Sequence, residues 1–250
     1  MSDVGDALEA GWCIFRSIPL PSIAFASLFV LIGLVLLAAV GHLGLSPMAL
    51  PFAGGFMLVG PVLLTGFFRL AAVASDGHRP GVRDAFAAFL SAPAGLWMVA
   101  LVCAFLFLVW ITDAAVLYTF MIGREYLPYD LPWIISPRRD VVSFELWAAL
   151  MGSVLAFIIF AVSAFSIPLL HEGRVNAVQA VHASVRAVFR SFAASIAWGL
   201  LITGGTIISI LLLPSLAVVL PILAYASFAL YRKVFPPVES IPATRGDGIE

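Results

Sequence analysis

Long uncharged runs alternate with short amphipathic segments along this chain. No formal charge falls between Arg16 and Arg69, and these 52 positions accommodate two helices of about 20 residues across a hydrocarbon core of about 30 Å, with a turn between them. Turn chemistry lies at Gly41-His42-Leu43-Gly44 and at Ser46-Pro47, so the pattern predicts membrane helices over about 22–39 and about 52–72. A third is predicted over about 95–112, continuing toward Met121, and the 25 uncharged residues 146–170 make a fourth. Another 41 uncharged residues separate Arg190 from Arg232, enough for a fifth and a sixth around a tight turn at Leu213-Pro214-Ser215.

An amphipathic segment precedes each pair. Within 3–16, Val4, Leu8, Trp12 and Phe15 recur at helical spacing while Asp3, Asp6 and Glu9 turn away. Val82, Phe86 and Phe89 repeat the design, opposite Arg83 and Asp84. Faces separate most sharply in 174–190, where Val175, Val178, Val181, Val185 and Val188 oppose Gln179, His182, Arg186 and Arg190. That segment reads as a basic interfacial helix.

Landmarks recur in step with these segments. Phe15-Arg16-Ser17-Ile18-Pro19 returns as Phe89-Leu90-Ser91-Ala92-Pro93 and, more loosely, as Phe189-Arg190-Ser191-Phe192-Ala193; Pro61-Val62-Leu63 is echoed by Pro168-Leu169-Leu170 and Pro221-Ile222-Leu223. The expectation is an all-α membrane protein of six transmembrane helices in three parallel repeats, about 3–73, 80–171 and 174–233. Each repeat is an interfacial amphipathic helix plus a transmembrane hairpin, and Phe15, Phe89 and Phe189 should then occupy equivalent places in a collar around the bundle. Residues 1–235 form a single membrane domain, and 236–250, polar and without periodicity, a disordered cytoplasmic tail.

Composition narrows the class. At 62% hydrophobic and 11% charged residues, the chain is far from the roughly 25% charged of a soluble domain. The net charge of −1 conceals an asymmetry: ten Lys and Arg fall in the N-terminal segment, the 2–3 and 4–5 loops and the C-terminus, against Arg124, Arg138 and Arg139 on the other side. Both termini are therefore expected in the cytoplasm. The N-terminus is acidic and lacks the basic region and cleavable stretch of a secretory signal, so the first helix is expected to stay in the mature protein. Cys13 and Cys103 imply no disulfide framework.

Gly11-Trp12 with Phe15-Arg16 and Pro19, Phe29-Val30-Leu31-Ile32-Gly33, Gly54-Gly55-Phe56 with Val59-Gly60-Pro61, and His182-Ala183-Ser184-Val185-Arg186 resemble bacterial integral membrane proteins grouped as domain of unknown function 2189. The likeness runs from about Ala10 to Phe235. It implies a multi-pass protein of the bacterial inner membrane, and some members carry a label linking them to cytochrome c oxidase. A haem-copper core needs several histidines inside membrane helices. The four here are His42 at the outer turn, His78 in a loop, His171 at the inner end of helix 4 and His182 on the amphipathic helix; no two face each other at mid-membrane, which argues against a catalytic oxidase subunit and leaves an accessory or assembly role open.

Candidate chemistry is sparse. His171-Glu172 begins a zinc-helix motif, but Val175 stands where its second histidine is needed. Asp113 is the candidate functional acid, since intramembrane carboxylates are costly and usually functional; about 27 Å along its helix, it reads better as a hydrated helix-end acid than as a proton relay. Pro61, Pro168 and Pro221 are helix-kink candidates, more simply packing devices than hinges. Glycines 54, 55, 60 and 66 permit close helix contact. Arg16, His182, Arg186 and Arg190 are the lipid-facing basic candidates. No nucleophile elbow, phosphate loop or carboxylate pair is present, so no enzyme, cofactor or nucleic-acid partner is expected. Membrane lipids, and another membrane protein complex, are the expected partners. The function expected is an accessory, scaffold or assembly protein of a membrane complex, a respiratory one included; the alternative is a transporter or carrier of a small apolar solute or lipid.

Overall fold

The structure, a computed structural model, describes residues 2–49, 51–52, 64–123 and 138–236. Its helices are α1 (Ser2–Ser17), α2 (Pro19–His42), α3 (Thr65–Ser75), α4 (Val82–Leu90), α5 (Ala94–Met121), α6 (Arg139–Ser163), α7 (Ser166–His171), α8 (Ala177–Arg190), α9 (Phe192–Leu211) and α10 (Leu216–Val234), with 3-10 turns at Ser46–Met48 and Leu213–Ser215. Among the described residues five stretches are long and apolar enough to cross a membrane: Pro19–His42, Ala94–Met121, Arg139–His171, Phe192–Ser209 and Leu213–Val234. Of the predicted helix over 52–72, Phe52, which is helical, and the stretch from Leu64 onward are described, and α3 begins at Thr65. Pro61, Gly54, Gly55 and Gly60, the polar loop 124–137 and the tail 237–250 lie outside the described residues.

Two apolar cores hold the bundle. The larger runs from the level of α1, α4 and α8, here the collar end, into the middle: Phe25 meets Phe67 and Phe86 edge-on, and Phe67 in turn meets Tyr225. Edge-to-face rings add to burial, about 0.5–1.5 kcal/mol per pair. The smaller closes the opposite end, where Val40, Met48 and Ala49 from the turn after α2 pack with Tyr118 of α5 and Phe144 of α6. Farther along the α5/α6 pair, Gly152 leaves room for Trp110, whose indole lies 2.7 Å from the place a Cβ would take.

The amphipathic helices form, but their partners differ from the sequence expectation. α1 is packed against the protein: Asp6 pairs with Lys233 at 2.7 Å, and Gly11 lies so close to α10 that a Cβ there would sit 2.6 Å from the Ile222 carbonyl oxygen. The two helices therefore run antiparallel. On α8 Ala180, Ser184 and Val188 are buried, and Val181 and Val185, with Val175 just before the helix, pack partly buried against the same core, so the valine stripe faces inward as expected except at Val178, which is 77% exposed. The landmark phenylalanines are also unequal: Phe15 is 7% exposed and stacks on Trp12, whereas Phe189 is 58% exposed and meets Phe157 and Phe192.

The prolines behave differently from one another. Ahead of Pro168 the helix breaks between Ser163 and Ser166, as expected where a proline both removes a donor and crowds the preceding turn. Pro221 lies buried inside an unbroken α10. Asp113 is part-buried and two turns short of the end of α5 at Met121, so it is an acid within the helix and not at its end. α6 starts at Arg139, earlier than the uncharged run implied, and carries the half-buried Glu145 with it. That acid was missed because it stands immediately outside the run.

Candidate functional site

Side chains with chemistry gather at the collar end, in two neighbouring places. The first is a polar clamp on the end of α10. α7 ends with Gly173 at φ 66, whose N–H reaches the Leu170 carbonyl while the Arg174 N–H reaches that of Leu169. Only glycine takes this left-handed turn freely. The turn aims Arg174 at α10: Nη1 donates to the Tyr231 hydroxyl at 3.2 Å and to the Phe235 carbonyl at 3.0 Å, and Nη2 to that of Pro236 at 3.0 Å. Tyr231 donates onward to Glu172 at 2.6 Å, and Arg232 stands 3.7 Å from the same carboxylate and over the Phe228 ring. The Tyr231 hydroxyl beside it pushes the Arg174 guanidinium above its ordinary value. Every hydrogen-bonding arm of this clamp binds the chain to itself, which makes it structural.

The second place is a cavity of about 620 Å³ beneath α8. Its position follows from local structure. Asn176 caps α8, accepting from the Gln179 N–H at 2.9 Å, while the Gln179 side chain returns the bond to the Asn176 N–H. Ser184, one face round from the basic residues, donates to the Ala161 carbonyl at 2.8 Å and accepts from the Phe165 N–H at 3.1 Å. One hydroxyl thus serves both sides of the α6/α7 break, and it fixes the rotation of α8. His182, Arg186 and Arg190 then project along one wall, one turn apart. Phe160, Phe165 and Trp198 supply an apolar floor; Asp3 and Val4 of α1, with Leu230 and Val234 of α10, face them.

Three of the sequence-predicted basic residues therefore share one site, and Arg16 does not. It is exposed at the end of α1, away from the cavity lining. The histidines do not converge: His42 and His78 are exposed, His171 faces Phe68 and His182 lines the cavity. Among the described residues no group of three or more His, Cys, Asp or Glu could hold a metal ion. Sequence reasoning named Ser184 and Gln179 without their roles and passed over Asn176. The Asn176-x-x-Gln179 capping pair was readable as a helix start, whereas nothing local marks Ser184, since its partner is a break in another helix.

Five apolar spans among the described residues, with a collar of short amphipathic helices, define an integral membrane protein. Residues 49–172 match the family described as predicted integral membrane protein, domain of unknown function 2189. The match covers the turn after α2 through α7 and includes neither Gly11 nor the basic residues of α8. No curated protein and no solved structure matches the chain.

Proposed function

We propose that this is a non-catalytic, six-span protein of the bacterial inner membrane, with both termini cytoplasmic, serving as an accessory or scaffold protein of a membrane complex. The observation that supports this reading is the anchoring of the collar. α1 is seated on α10 at Gly11, α4 reaches α2 through Phe86 and Phe25, and α8 is bound to the α6/α7 break through Ser184. Amphipathic helices held in this way present a fixed polar platform to a partner. The sixth crossing is supported by the chain changing ends between Ala49, in the far core, and Phe67, in the collar core. The ten-to-three bias of Lys and Arg supports the orientation. Three modules, each an amphipathic helix followed by a hairpin, remain the simplest account of the element order, with Phe15 and Phe189 marking where they have diverged.

A photo-crosslinking residue at the exposed Arg83 of α4, introduced into the full chain in its native membrane, tests the proposal. A discrete membrane-protein adduct is expected; adducts to lipid alone would overturn the scaffold reading. A carrier of a lipid or apolar solute is the second reading, and the cavity beneath α8 is the observation that favours it.

A further inference from the structure

We propose that the groove beneath α8 is a binding site for one membrane phospholipid with a net negative headgroup. The phosphate lies between Arg186 and Arg190 and an acyl chain runs over Phe160, Phe165 and Trp198. Residues four apart on a helix stand about 6 Å apart along its axis on the same face, so the two guanidinium groups can close on a single phosphate from either side. Among the described residues neither takes part in an ion pair, although Arg174, Arg232 and Lys233 at the same end are all paired with carboxylates. The groove thus offers two uncommitted charges. Arginine suits this role because its planar fork matches phosphate oxygens.

The floor decides between a lipid and a free anion. Phe165 and Trp198 are 8% and 4% exposed, so the floor is apolar and nearly dry: it cannot replace the water a small anion would give up, whereas an acyl chain packs against it. A volume of about 620 Å³ holds a headgroup and the upper part of a chain, within the range usual for ligand sites. Asp3 on the facing wall is shared with Lys233 at 3.6 Å, so its charge is partly answered and the two arginines set the sign of the site. The inference does not rest on transport or on a protein partner, because a held lipid and a carried lipid occupy the groove alike.

The test uses the full chain in mild detergent, titrated with phosphatidylglycerol or phosphatidylcholine and read by native mass spectrometry. One phosphatidylglycerol is expected to be retained in preference to phosphatidylcholine. Replacing both arginines, Arg186→Gln with Arg190→Gln, should weaken retention roughly thirtyfold. Ala194→Trp, at an exposed lining position, fills the groove without changing charge and should also abolish retention; the thermal transition of each variant reports its folding. Inorganic phosphate and glycerol phosphate should compete poorly. Unchanged binding by Ala194→Trp would mean diffuse surface attraction, and displacement by inorganic phosphate would mean a plain anion site. Either result overturns the proposal.

Discussion

At Gly11 two helices of this protein meet backbone to backbone. A Cβ would meet the Ile222 carbonyl oxygen at 2.6 Å and the Ala226 nitrogen at 2.7 Å, both backbone atoms that cannot swing aside. Gly11→Val should therefore force α1 off α10 and cost about 1–3 kcal/mol, read as a lower thermal midpoint in detergent. Gly5 has nothing within 4 Å, so Gly5→Ala should be neutral or stabilise by about 0.5–1 kcal/mol through helix propensity; equal losses at both positions would rule out the close approach as the cause. Arg174 gives a prediction about pH. Its guanidinium is held above its ordinary value, chiefly by the Tyr231 hydroxyl. A raised value means a contribution fully present below the ordinary arginine range and lost only above it. The destabilisation by Arg174→Gln should accordingly be the same at about pH 6 and about pH 9, and a loss that changes across that window would contradict the clamp.

At the scale of elements, α8 shows how a buried break selects a helix face. The Phe165 N–H and the Ala161 carbonyl both depend on the Ser184 hydroxyl, so Ser184→Ala leaves a buried donor without a partner, at about 1–3 kcal/mol. Hydrogen exchange should quicken at Phe165 first; protection unchanged there would show that the break is satisfied otherwise. The same contact explains what was legible in advance. The period of 174–190 announced a helix, and the spacing of His182, Arg186 and Arg190 placed them on one wall, because both are properties of the segment alone. The valine stripe packs inward as its period implied, Val178 excepted, and Ser184 joins that face because its hydroxyl serves the gap in α6/α7. α6 likewise began at Arg139 because helices do not stop where charge begins. The collar was readable as three short helices, but its attachments to α10 and α6 join residues far apart in sequence and left no local mark.

For the whole molecule, the fold keeps the polar termini of its spans on two separate levels. Gly44 ends the turn after α2 with φ 70, and Arg138 precedes α6 beside its partner Asp140; both lie on the side away from the collar. Cysteines placed at these two positions should react with an impermeant reagent from outside the intact cell, and cysteines at Arg83 or Arg186 only after permeabilisation. Labelling of either of the first two from the cytoplasm would invert or break the proposed topology. The seat of α1 on α10 also has a consequence in time. Asp6 and Lys233 are separated by 227 positions, so at about 5–20 residues synthesised per second the first helix waits roughly eleven to forty-five seconds for its partner to emerge. In that interval the stripe of Val4, Leu8, Trp12 and Phe15 has the membrane surface as its apolar support. The residues that read as a lipid-resting helix thus describe where α1 spends its early life, and the groove at Gly11 describes where it goes when the last span arrives.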